Sequence, residues 1–529
     1  MWLIILLGVL TAIIYFYLIK PLNYWKERNV PYERPLPIFG NSLGLITKKF
    51  SNAEFFAHLY NKFPDTRYTG AFNFGLPFLV IRDPELMKRI FVKDFDTFPQ
   101  HTPFISKDVD PLWNKNLFAM EDAEEWHELR ATLSPSFTSS KIKAMFILMR
   151  ECSRQFSNHF LKQGESIEVD LKDCFGKFAN DVIATTAYGI TCDSLSNPNN
   201  EFYVTAKQLN DFTGIKGFLF LLNLLSPTLA KFIKTPVFSK QAVAFFYSVV
   251  KETIKVRKEK GIVRMDMLHL LMEAQKGSLK YEENQDDLPE AGFAAVEESN
   301  IGKTQKPRKM EITDEIIVAQ ALVFFFAGAE TVSTSMGFAG YELAVNPEIQ
   351  DRLREEVDQT LSNSDGQFTY ENLMSMKYLD MIVSEVLRKW PPNIATDRKS
   401  VKSFTIEAEQ PGEPTLFLEK GAFVACPIEA IHRDPKYYPN PDKFDPERFN
   451  EANRHNIRPY TYLPFGLGPR NCIGSRFALL EIKLIIAEVI SKFQIVPIER
   501  TQIPLIMSKS AVNSTPQDGF WVGFKKRTL

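Results

Sequence analysis

Apolar positions open the chain without interruption, and Met1 to Ile19 carries no charged residue. Wound as a helix at 1.5 Å per residue, that stretch spans roughly 28 Å, about one hydrocarbon core. A secretory leader would begin with a positive segment and end at a small-residue cleavage site, and neither is present. Lys20, Lys26 and Arg28 follow the apolar run, with Tyr24 and Trp25 expected at headgroup level. The pattern predicts a single uncleaved anchor over 1–19, with the body on the cytoplasmic side by the positive-inside rule. Pro31, Pro35 and Pro37 exclude helix from the basic, proline-containing linker over 20–40, which should act as a stiff hinge.

From residue 41 to 529 the chain reads as one body, mostly helical, with short strands near Phe78–Ile81 and at the carboxyl end. The class expected is mainly α with small β-sheets, an α+β chain. Residues 276–309 lack periodic apolar positions and are rich in Glu, Gln, Lys, Gly and Pro, the composition of a solvated loop between helices. Residues 210–236, including Phe218–Leu225, form a second apolar patch too short to span a bilayer. It is either core or a surface that dips into the membrane.

The longest helix should start at Thr313, an N-cap with Asp314 and Glu315 in the first turn, and stop at Asn346-Pro347. Its centre, Ala319–Ala329, is apolar and should be buried, where Gly328 weakens the helix and Glu330 needs a partner. Taken alone, Thr331 would bond the preceding turn and Glu330 would find a salt bridge. Glu385 and Arg388 stand at i and i+3 on a helix ending at Trp390-Pro391-Pro392, and Trp126 and Arg130 at i and i+4 share a face, as two donors to one anion require.

Composition narrows the function. The chain has 529 residues, 45% of them hydrophobic, and a net charge of −1, which allows a large core and excludes a globally basic nucleic-acid binder. Its 44 Phe suggest a dry, aromatic interior. Five cysteines without a CxxC pair form neither a disulfide framework nor a zinc site, so any thiol chemistry rests on a single residue. A lone Cys is usually a small buried hydrophobe. Phe465-Gly-Leu-Gly468-Pro-Arg470-Asn-Cys472-Ile-Gly474 argues otherwise for Cys472. Its glycines admit a flat partner close to the backbone, Arg470 offers a fork of donors for a carboxylate, and nearby amides can stabilise a thiolate. The helix expected after it brings a positive dipole end to the sulfur. Cys152, Cys174, Cys192 and Cys426 have no such setting.

These residues resemble the haem-thiolate motif Phe-x-x-Gly-x-Arg-x-Cys-x-Gly of the cytochromes P450, and the resemblance extends from the first residues to the carboxyl end. It implies that Cys472 is the axial ligand of haem b, with Phe465, Gly468, Arg470 and Gly474 around it. Trp126-His-Glu-Leu-Arg130 is similar to the W-x-x-x-R that holds a haem propionate, and Arg398 falls where microsomal members place another propionate ligand. Ala327-Gly328-Ala-Glu330-Thr331 resembles the oxygen-activation motif, so the haem would lie between the long helix and the Cys loop. Glu385, Arg388 and Arg448 resemble the structural ion-pair network of the E-x-x-R motif. Phe104, Phe118, Phe325, Phe326, Ile394 and Thr396 fall in segments that line the substrate cavity. The hinge departs from the family pattern, with Pro31, Pro35 and Pro37 in place of the usual clustered prolines and glycine.

The resemblance further implies a monooxygenase of the endoplasmic reticulum membrane that takes O2 and a lipophilic substrate. The chain contains no flavin or nicotinamide domain, so electrons would come from NADPH–cytochrome P450 reductase, with cytochrome b5 as a second donor. Lys141, Lys143, Arg454, Arg458 and Arg476 are candidate contacts for that acidic partner. Membrane lipid is a further partner and nucleic acid is not. The general look is similar to the insect group that detoxifies xenobiotics such as insecticides or plant toxins. Oxidation of an endogenous hormone, fatty acid or hydrocarbon is the alternative. An isomerase of the P450 type would lack the acid–alcohol pair that Glu330-Thr331 supplies, and a haem sensor would need no proton relay.

Overall fold

The computed structural model describes residues 1–102, 105, 110–209, 214, 216–217, 219–220, 238–277, 292–295, 310–509 and 514–528. The longer helices are α1 (Trp2–Ile14), α2 (Ala123–Leu133), α3 (Ser139–Leu161), α4 (Leu171–Ile183), α5 (Lys240–Lys260), α6 (Asp314–Val345), α7 (Pro347–Ser362), α8 (Lys377–Lys389) and α9 (Ser475–Lys492). The strands are β1 (Tyr68–Asn73), β2 (Leu76–Ile81), β3 (Ser166–Asp170), β4 (Thr396–Lys399), β5 (Phe404–Ile406), β6 (Leu416–Leu418), β7 (Phe423–Cys426), β8 (Phe493–Val496) and β9 (Trp521–Lys526).

They form three small sheets, ordered β1-β2-β7-β4, β3-β9-β8 and β5-β6. In the first, β2 runs parallel to β7, pairing Phe78 with Phe423, and β4 closes the edge antiparallel, pairing Thr396 with Cys426. The helical and sheet-bearing parts have separate apolar clusters, the larger centred on α6 and α9 and the smaller under β1, β2 and β7.

α6 starts and stops where its caps predict. Thr313 Oγ1 accepts from the Ile316 amide at 3.3 Å, and the helix ends at Asn346. By length and composition it could cross a membrane, yet most of its apolar stretch is buried inside the protein. α1 is the opposite case: apolar throughout, with Trp2 83% and Leu3 71% exposed.

The linker departs from expectation at Trp25. This ring does not sit at headgroup level but is buried in the body, donating from Nε1 to the Ala71 carbonyl at 2.9 Å. The notch is made by Gly70, where a Cβ would lie 2.6 Å from the indole. Pro31 and Glu33 then exchange main-chain bonds with Gly70 at 2.8 and 3.1 Å, so the proline segment lies along β1 as well as being stiff.

Two expectations fall largely outside the described residues. Most of 210–236 is one, and most of 276–309 is the other. Of the second, Gly292–Ala295 is described and is packed rather than solvated. The Phe293 ring meets those of Phe449 and Tyr462 at 5.2 and 5.5 Å, and its amide donates to Asp380 at 3.0 Å.

Candidate active site

The Cys472 loop is a run of tight turns. Gly466 and Gly468 have φ of +72° and +71°, a region that a side chain strains. A Cβ at Gly468 would also strike the Phe91 carbonyl at 2.0 Å, so that position must be glycine. The turn closes when the Cys472 amide donates to the Phe465 carbonyl at 2.9 Å, and α9 begins three residues beyond the sulfur. Cys472 is accessible, unlike Cys152, Cys174 and Cys426, which are buried. Crowding by protein pushes its thiol up, opposed by the Gly474 amide and the Arg130 charge, which favour the thiolate.

Around this loop the fold gathers the three arginines named from sequence. Arg130, on α2, donates to the carbonyl and side chain of Asn471 at 2.9 and 2.7 Å. Arg470 donates to the carbonyls of Pro99 and Met120 at 2.8 and 2.9 Å and lies 4.3 Å over the Trp126 ring. Arg398, 1% exposed on β4, donates to the carbonyls of Asp397 and Leu467 at 2.6 and 3.2 Å, and its Nε has no partner among the described residues. Burial pulls Arg398 down to about 10, and burial with the Arg398 and Arg130 charges pulls Arg470 well below its ordinary value. Every bond that Arg398 and Arg470 make among the described residues goes to a carbonyl or, for Arg398 at 3.5 Å, to the Thr396 hydroxyl. Two cations side by side, Arg398 buried and Arg470 partly buried, are costly without an ion pair unless an anion joins them. A haem, with an iron for the thiolate and two carboxylates for the guanidiniums, fits this donor set.

The middle of α6 supplies a second wall. Phe324, Phe326, Ala327, Gly328, Glu330 and Thr331 are the open or partly open positions in the middle of this helix, and the spacing of Phe324, Ala327, Gly328 and Thr331 places those four on one face. Phe137 links this face to the Cys loop: its ring lies 5.4 Å from that of Phe324, and a side chain at Gly474 would touch it. Thr331 Oγ1 donates to the Ala327 carbonyl at 2.6 Å. Glu330 points elsewhere and pairs with Lys172 of α4 at 2.7 Å, whose ammonium also reaches Thr334 at 2.7 Å and Ser333 at 3.2 Å. Sequence reasoning did not name Lys172, because nothing local marks a partner 158 positions away.

The remaining candidates separate. Phe118, 42% exposed, stacks on His101 at 5.0 Å, and Phe326 meets Trp113 at 5.3 Å and Phe238 at 5.5 Å. Ile394 and Thr396 lead into β4, just before Arg398. Phe104 lies outside the described residues. Phe325 requires a correction: it is 1% exposed and stacked on Phe246 at 5.1 Å, behind the helix. Adjacent helical residues are turned by about 100°, so Phe324, not Phe325, shares the open face with Thr331. Glu385 and Arg388, both fully buried, pair at 2.6 Å, and Arg448 approaches Glu385 at 3.4 Å.

The cytochrome P450 family profile matches residues 30–522. The chain belongs to the cytochrome P450 family. It is 45% identical over 522 residues to cytochrome P450 9e2 of Blattella germanica, covering 96% of this chain and 94% of that one. Probable cytochrome P450 9f2 of Drosophila melanogaster is 39% identical over 534 residues, covering 99% and 98%. Cytochrome P450 6k1 of Blattella germanica is 34% identical over 527 residues, covering 99% and 97%. As a cytochrome P450, the chain is a monooxygenase with a haem-thiolate cofactor held by a cysteine, drawing electrons from a reductase and acting with O2 on a small molecule.

Proposed function

We propose that Cys472 would supply the thiolate to a haem iron, that Trp126, Arg130, Arg398 and Arg470 would hold the haem carboxylates, and that Phe465, Gly468, Gly474 and Ala327 would complete the cradle. The observation that carries this reading is the pair of guanidiniums, Arg398 buried and Arg470 partly buried, bonded to carbonyls beside the one exposed cysteine among the described residues. When bound, a thiolate-ligated haem supplies reductive activation of dioxygen, with one oxygen atom entering the substrate and the other leaving as water. Burial pushes the Cys472 thiol up, while the Gly474 amide, the α9 dipole and the Arg130 charge favour the thiolate that a haem iron would take. Thr331 spends its proton on the Ala327 carbonyl, leaving its oxygen lone pairs to orient a water on the open face of α6. Glu330, with 30% of its side chain exposed and its charge held by Lys172, links that region to solvent as a proton donor after uptake.

The substrate is lipophilic in this reading, since Phe324 offers an apolar ring on the open face. Detoxification of foreign compounds is the role we favour, on the likeness to insect P450s. The exposed apolar α1 acts as a membrane anchor in the endoplasmic reticulum, with the body cytoplasmic. NADPH–cytochrome P450 reductase is the electron donor and cytochrome b5 an accessory one. Of the basic contacts considered for them, Arg454 and Arg458 are exposed and Lys143 pairs with Glu371.

Reduced protein with carbon monoxide should show the red-shifted Soret band of a thiolate ligand, and Cys472→Ser should lose it. An unchanged spectrum removes Cys472 from the iron. Thr331→Ala should keep that band while diverting electrons from product to hydrogen peroxide, lowering coupling about 10–100-fold. Equal coupling would leave Thr331 a helix residue only.

A further inference from the structure

Arg398 and Arg470 are tied together by a short strap of chain that no motif marks. Gln100 bridges to Lys399, whose amide donates to the Gln100 carbonyl at 2.8 Å, and the Val401 amide donates to Thr97 at 2.8 Å. Residues 97–101 thus run beside β4, which carries Arg398. On the other side, the Pro99 carbonyl accepts from Arg470 Nε at 2.8 Å, and Gln100 Nε2 donates to the Glu121 carbonyl at 2.6 Å.

Asp397 sits at the joint. One carboxylate oxygen lies 2.9 Å from His101 Nδ1, and the other accepts from the Thr102 amide at 2.6 Å. Burial pulls His101 down to about 4, so the ring is neutral and its Nδ1–H donates to the carboxylate. Burial also acts to push the Asp397 carboxyl up, but the His101 and Thr102 bonds outweigh it and keep the group ionised. Adjacent strand residues face opposite ways, so Asp397 is turned to the strap while Arg398 is turned to Leu467. The Asp397 charge acts on both guanidiniums, yet among the described residues it closes an ion pair with neither. A carboxylate free to swing would join Arg398 and occupy its fork.

We propose that Asp397, held by His101 and Thr102, is a positioning residue of the haem site: it offsets part of the Arg398–Arg470 charge from a fixed distance and leaves both guanidiniums to the haem carboxylates. The inference rests on the reading of these arginines given above. It makes Asp397 a fixed negative charge near the iron, and such a charge stabilises the more positive ferric state.

The test uses the purified full-length holoprotein. Asp397→Asn keeps the shape and removes the charge, so the ferric/ferrous midpoint should move to more positive potential, with haem content and the carbon monoxide band retained. His101→Leu removes the donor and frees Asp397 to close on Arg398, so haem transfer to an apoglobin acceptor should quicken about tenfold. His101→Gln, which can still donate, should restore the parent rate. An unshifted midpoint in haem-replete Asp397→Asn, or parent-like haem loss in His101→Leu, overturns the proposal. Should Asp397→Asn accumulate without haem, the two His101 variants decide by the same criterion. Failure of the underlying reading is separate: haem loss from Arg398→Ala and Arg470→Ala would then match the parent.

Discussion

Two arginine clusters, one around Glu385 and one beside Cys472, differ in where their negative charge comes from. Around Glu385 the cluster is closed. Arg388 donates to both oxygens of Glu385 at 2.6 and 2.8 Å, and Arg448 and the Asp445 amide complete the carboxylate at 3.4 and 2.9 Å. The remaining Arg388 donors go to the His432 and Pro441 carbonyls at 3.0 and 2.7 Å. Burial alone pushes the Glu385 carboxyl up, and these cations and the amide counter it. Around Cys472 the cluster is open: Arg398, buried, and Arg470, partly buried, end on carbonyls, with the one nearby carboxylate turned aside to His101. A protein that carries its own counter-charge is building structure. One that withholds it has reserved the cations for an anion from outside.

That contrast can be broken first where it is strongest. Arg388→Ala leaves buried Glu385 with only Arg448 at 3.4 Å and the Asp445 amide, at a cost of about 3–5 kcal/mol. We expect little folded protein and little haem, read as the ratio of carbon monoxide-binding to total protein. In the open cluster, Arg398→Ala and Arg470→Ala lose bonds to main-chain carbonyls but no internal ion pair, so each should lower the apoprotein folding midpoint less than Arg388→Ala does. Both should raise the haem loss rate about 10–100-fold, by about 1.4–2.7 kcal/mol of lost charge-assisted bonding.

Each cluster also contains a histidine held neutral by burial, His432 at about 3 and His101 at about 4 against an ordinary 6.5. Below 6.5 the unfolded chain takes up protons that the folded one refuses, so stability should fall as pH drops from about 6.5 toward 4. His432→Gln should flatten that slope in both apo- and holoprotein. Haem carboxylates near His101 would raise its affinity for a proton, so the His101 share should shrink when haem is bound. Urea midpoints across that pH range, with and without haem, separate the two. An identical slope for both forms would remove the haem from the neighbourhood of His101.

The smallest effect is expected at Lys172. Its bond to Glu330 is between side chains 25% and 30% exposed, and such pairs contribute about 1 kcal/mol or less. Lys172→Met should barely move the thermal midpoint, and a solvent isotope effect on turnover larger than the parent's would show that the lysine orders proton entry. No change in either would leave it a surface pairing.

Much of this was legible because it is local. The Phe465–Gly474 turns depend on glycines a few positions apart, the Glu385–Arg388 pair on an i, i+3 spacing, and the bounds of α6 on Thr313 and Asn346-Pro347. The resemblance to cytochromes P450 rested on the same short spacings, each set by the geometry of one turn or one helix. What the sequence could not order was which face meets which distant segment. Phe324 and Phe325 are equally apolar neighbours, and only the packing of α5 against α6 sends Phe325 to the core and leaves Phe324 on the open face. Trp25 has the composition of a membrane-interface residue, but Gly70, 45 positions on, makes a notch that buries it. Lys172 with Glu330, and His101 with Asp397, are joined across 158 and 296 positions by helix and strand packing. A periodic pattern states which residues share a side, because backbone geometry repeats over a few residues. It does not state what that side touches, because long-range partners are chosen by the summed burial of the whole core.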